Sequence, residues 1–76
     1  MNAQQHKTIL TAALTKGSND AHLVKPPRRK AVLNYLSAHT GLYLSPSVAK
    51  EVYSAYLCAR QYETLWQAIT AEEGAQ

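Results

Sequence analysis

Four basic residues, Lys25, Arg28, Arg29 and Lys30, fall within six positions and make up half of the chain's eight Lys and Arg. Pro26 and Pro27 stand among them. A proline pair ends any helix running in and suits the first turn of the next one. The cluster therefore opens a helix, where free backbone N–H groups and cations converge. Such a start suits an anion, either a phosphate or a protein carboxylate surface. It is also the wrong end for cations on dipole grounds, at a cost of a few tenths to about 1 kcal/mol. The plain alternative is a solvated helix start.

The other chemistry-bearing residues are scattered. His6, His22 and His39 are far apart, and none stands beside a Cys, Asp or Glu at ligand spacing. They read as polar loop or helix-end residues, with His39 favoured near a helix C-terminus when charged. Cys58 is the single cysteine, with no neighbouring base, and reads as a small buried residue. The sequence predicts no catalytic set, no metal site and no cofactor. Tyr53, Tyr56, Tyr62 and Trp66 recur at helical spacing and allow two readings. They form a core face with hydroxyls at its edge, or they anchor a target or a second copy, because so short a chain cannot wrap every aromatic.

Seventy-six residues with a formal net charge of +3 predict one domain over 1–76 with a thin core. One cysteine cannot staple it internally, which leaves association as a source of stability. No apolar run approaches a membrane span and the first residues hold no signal core, so the expectation is a soluble protein of a bacterial cytoplasm.

Periodicity predicts an all-α bundle of three to four helices, at about 3–16, 27–39, 46–58 and 61–71, with frayed ends at 1–3 and 72–76. The best-marked start is Ser45-Pro46, an N-cap oxygen followed by a proline, with Val48, Val52, Ala55 and Tyr56 on one face behind it. The first helix carries Ile9, Leu10, Ala13 and Leu14 and is read as stopping at Gly17. Leu23 and Val24 are expected to tuck onto the core. The second helix shows Ala31, Val32, Leu33, Tyr35 and Leu36 and ends at Gly41. Leu42 and Leu44 are expected to be buried. No proline or glycine interrupts 46–70, which favours one helix there, while two remain compatible with the pattern. Glu51 with Arg60, and Lys50 with Glu63, are candidate surface pairs.

Leu44, Ser45, Ser47, Ala49, Glu51, Cys58, Arg60, Tyr62 and Leu65 stand at matching spacing to a short helical module. With the basic segment Arg28–Leu36 before it, the stretch 28–69 resembles the glyoxalase-related N-terminal family of plasmid and accessory-genome proteins. Cys58 stands where that module has glycine, the place of its break between the last two helices. The family name implies no enzyme. The opening Ala3-Gln4-Gln5-His6-Lys7 resembles the start of a type I-F anti-CRISPR family of Pseudomonas phages. That family is acidic and this chain basic, so what the resemblance implies is a phage or mobile-element origin.

The functional expectation is a non-catalytic binder of such an element that inhibits a host defence complex, such as a CRISPR effector, through the basic cluster and exposed aromatics. The alternative is a small DNA-binding regulator. Residues 28–39 and 46–57 have roughly a helix-turn-helix layout, but the turn between them is long and its second helix offers only Ser47 and Lys50 to a base or phosphate.

Overall fold

Asn2 starts the first helix. Its side chain accepts from the Gln5 N–H at 2.8 Å, while Gln5 returns a bond to the Asn2 N–H at 3.0 Å, a reciprocal capping box. The computed structural model describes residues 1–74 and holds three helices: α1 (Ala3–Asn19), α2 (Arg29–Thr40) and α3 (Pro46–Gly74), with one 3-10 turn, Asp20–His22, after α1. The all-α class and the bundle are as the periodicity predicts. The expected fraying at 1–3 gives way to the cap at Asn2. At the other end residues 72–74 continue the helix, and 75 and 76 lie outside the described residues.

α1 does not stop at Gly17. It runs on to Asn19, and Asp20 closes it by donating its N–H to the Lys16 and Ser18 carbonyls. Gly17 is glycine for a different reason. A Cβ there would overlap the Tyr56 carbonyl oxygen and lie 2.9 Å from Ala59 Cβ. The buried row Ile9, Ala13, Gly17 shrinks along α1, so the helix closes onto α3 towards its end. His6 lies beside Glu51 and Gly17 beside Tyr56 and Ala59, so α1 and α3 run in the same sense, and this is the main interface. α2 returns between them, with Arg29 near Tyr53 at its start.

α2 starts at Arg29, two residues after the expected start at Pro27, with Arg28 as its N-cap and no side-chain cap. Its end is as predicted: Gly41 takes φ 72° and donates to the Ser37 carbonyl at 2.8 Å. Ser45 accepts from the Val48 N–H at 3.4 Å and so opens α3. α3 then runs 29 residues without a break, one helix where two were compatible, and Cys58 lies within it. At 1.5 Å per residue this is about 43 Å of helix, and it sets the 48 Å long axis of the molecule.

The core is Ile9, Ala13, Val32, Leu36, Val52 and Tyr56, with Leu10, Leu33, Leu42 and Leu44 half-buried around it. Several expected core residues lie outside. Leu14, Ala31 and Tyr35 are exposed, because their helices present only a narrow stripe to the bundle. Val24 is 97% exposed and Leu23 sits at the edge, since their segment is held through backbone rather than side chain. Cys58 is exposed, on the side of α3 turned away from α1.

Candidate interaction surface

The aromatic set divides in two. Tyr56 is fully buried and is corrected from candidate anchor to core residue. Its hydroxyl donates to Asp20 Oδ2 at 2.6 Å, and Lys16 Nζ donates to Asp20 Oδ1 at 3.3 Å. Burial first, and then the bond to Asp20 and its negative charge, push the Tyr56 phenol well above its ordinary value, with Arg60 opposing. This network ties the end of α1 to the middle of α3. Sequence reasoning missed it: Asp20 reads as a turn former, and nothing local pairs it with a residue 36 positions on. Tyr53 is half-buried and stacks on Tyr56 with ring centroids 5.9 Å apart. Tyr62 and Trp66 are exposed.

The basic cluster is exposed throughout and lies at the end of the bundle where α1 and the 3-10 turn finish. Two contacts place it. Arg60 Nη2 donates to the Leu23 carbonyl and holds the start of the loop that carries Lys25 and Arg28. The Arg29 guanidinium lies 5.8 Å from the Tyr53 ring centroid, a cation–π contact. No acid stands in the first turn of α2. Arg29, Lys30, Leu33 and Asn34 line a shallow recess of about 410 Å³ on that turn, so cationic and apolar groups share one surface.

The expected pairs Glu51–Arg60 and Lys50–Glu63 are absent among the described residues. Glu51 instead meets His6 at 3.1 Å, and Arg60 is taken by Leu23, with its Nε buried and without a hydrogen-bond partner. His22 Nδ1 donates to the Asn19 carbonyl at 2.8 Å and His39 stacks on Tyr35 at 5.6 Å. The histidines are thus apart, and among the described residues no three His, Cys, Asp or Glu gather as a metal site. A second groove, about 430 Å³, runs between α1 and α2 past Thr8, Thr11, Thr15, Lys16, Tyr35 and His39. Much of its polarity is already engaged: Lys16 is held by Asp20 and lies 4.4 Å from the Tyr35 ring centroid, and Thr8 donates to the Gln4 carbonyl.

Beyond Arg60, α3 leaves the bundle as an arm. No family model matches the chain, and no curated protein or solved structure does. The likenesses of 28–69 and 3–7 therefore rest on the residues quoted for them. Charge is divided along the molecule: residues 1–60 hold eight basic and two acidic residues, a formal +6, and the arm holds Glu63, Glu72 and Glu73 with no basic residue, a formal −3. Among the described residues no helix is long and apolar enough to cross a membrane.

Proposed function

We propose that this is a non-catalytic binding protein of phage or mobile-element origin that inhibits a host defence complex, in the manner of an anti-CRISPR protein. The observation that carries the reading is the recess at the start of α2, where Arg29 and Lys30 flank Leu33 and Asn34 with Arg28 and Lys25 beside them. Cations over an apolar floor suit a protein surface rich in carboxylates or a phosphate-lined site: the charges steer encounter and fix register, and the apolar part adds area. Tyr62 and Trp66 enlarge the contact, either directly or by bringing a second basic end alongside.

A DNA-binding regulator is the second reading, favoured by the same unneutralised first turn of α2. A purified CRISPR effector complex separates the two. Inhibition predicts co-elution with the effector and loss of its target binding, both abolished by R28E/R29E. Regulation predicts a duplex-DNA shift by the protein alone, whose affinity falls about 40- to 150-fold between 50 and 200 mM salt for three or four phosphate contacts. A protein that does neither refutes both.

A further inference from the structure

The arm carries a face that its own bundle does not use. On α3 the bundle-facing row is Ala49, Val52, Tyr56, with Ala59 against Gly17. Continued at helical spacing, that row becomes Glu63, Gln67 and Thr70, which is polar, with Gln67 Nε2 donating to Glu63 Oε1 at 3.3 Å. Tyr62, Leu65, Trp66 and Ile69 lie about a third of a turn away and are 69%, 57%, 55% and 51% exposed. The apolar stripe is thus not a surplus of the core row; it is a second row. Cys58, Tyr62, Leu65 and Ile69 alternate four, three and four residues apart, the spacing of a seam between two helices.

We infer that this face pairs with a second copy of the chain, the two α3 helices running antiparallel about a two-fold axis. Area is the first argument. Large apolar and aromatic side chains exposed to this degree offer roughly 400–500 Å² per chain. Two copies bury on the order of 1,000 Å² before flanking residues are added, which reaches the low end of specific interfaces. Charge is the second argument, and it decides the direction. A parallel pair would set Glu72 against its own copy in the seam. An antiparallel pair whose rows interdigitate sets Tyr62 beside the partner's Leu65 and Cys58 beside the partner's Ile69. Glu72 and Glu73 then reach the level of the partner's Ala55 and Ser54, within the reach of its basic body. Each acidic arm of −3 thereby ends on a basic body of +6. The thiol of Cys58 is exposed, so the seam is open at its own level. Each interface is the same patch on both copies, so the assembly closes at two.

Light scattering over roughly 1 µM to 0.5 mM tests the pairing. The expected mass rises to twice the 8.4 kDa of the chain. L65D/I69D, at exposed positions, stays monomeric with unchanged helix content. E72K/E73K weakens the dimer at least tenfold at low salt. Mild oxidation links I69C to the partner's Cys58, while the wild-type chain stays unlinked. A wild-type chain that remains at 8.4 kDa throughout overturns the pairing and hands the face to a different protein. Rapid Cys58–Cys58 linkage in the wild type overturns the antiparallel arrangement. The mass is read without any target, so loss of the proposed inhibition leaves this result untouched, and the reverse holds too.

Discussion

Replacing Gly17 with alanine tests by sign whether α3 comes close to this residue of α1. Were Gly17 an interior glycine of α1 with open space beside it, alanine would stabilise the helix by up to about 1 kcal/mol, the difference in helix propensity. In the structure Gly17 is buried and already inside α1, and the added methyl would overlap the Tyr56 carbonyl oxygen, with Ala59 Cβ at 2.9 Å and the Tyr56 carbonyl carbon at 3.1 Å. The obstacle is helix backbone, which cannot rotate out of the way as a side chain does, so the two helices must separate. Overpacking of this kind costs typically 1–3 kcal/mol, and backbone contact puts it at the upper end. The propensity gain offsets about 1 kcal/mol of that, leaving a net loss of about 1–2 kcal/mol. For a domain of this size that lowers the thermal midpoint by roughly 5–15 °C. Far-UV circular dichroism through thermal and urea unfolding, at one fixed protein concentration, measures it. A midpoint that is unchanged or higher refutes the close approach of α1 and α3 at this residue.

Tyr56→Phe removes the hydroxyl that donates to Asp20 and leaves that buried carboxylate to Lys16 alone, at an expected cost of about 1–3 kcal/mol near neutral pH. The sign with pH follows from the raised phenol: its contribution is complete below tyrosine's ordinary value of 10.0 and is lost as pH rises above it, because the unfolded phenol ionises first. The stability gap between the wild type and Tyr56→Phe therefore narrows above about pH 10 in urea titrations, and a constant gap would contradict the buried bond. Asn2→Ala removes the side-chain half of the capping box, the acceptor for the Gln5 N–H, and lowers stability by about 0.5–2 kcal/mol, checked by the same unfolding curves together with a loss of helix content at the first turn.

Much of the architecture is legible because helix ends announce themselves locally. Ser45-Pro46, the proline pair before α2 and Gly41 after it act through nearest-neighbour geometry, and the structure finds each boundary within two residues of its expected place. Gly17 is the exception, and it is instructive. A glycine after a lysine carries the same local mark whether it ends a helix or lets another helix approach, and only the position of Tyr56 and Ala59 distinguishes the two. The continuity of α3 is similar: propensity permits one helix, while the length of the arm depends on nothing breaking at Cys58.

For the candidate surface, the basic cluster is readable from composition and the prolines beside it, because charges crowded at a helix start stay in water. The aromatic set is not. Tyr53, Tyr56, Tyr62 and Trp66 are alike in type and spacing, yet Tyr56 is sealed in the core and Tyr62 and Trp66 stand free. What divides them is where α1 ends. Asp20 and the 3-10 turn cover α3 as far as Tyr56, Arg60 is met by Leu23, and past that level no element among the described residues lies alongside.

The sequence by itself determined the helical class, the capped starts and the charge at the opening of α2, since these depend on residues within a turn or two of one another. Only the tertiary structure decided which face of α3 is inside, why Gly17 is glycine, and that Asp20 is held by Tyr56. Each of these joins positions tens of residues apart, and no local pattern carries the distance at which α1 and α3 pass.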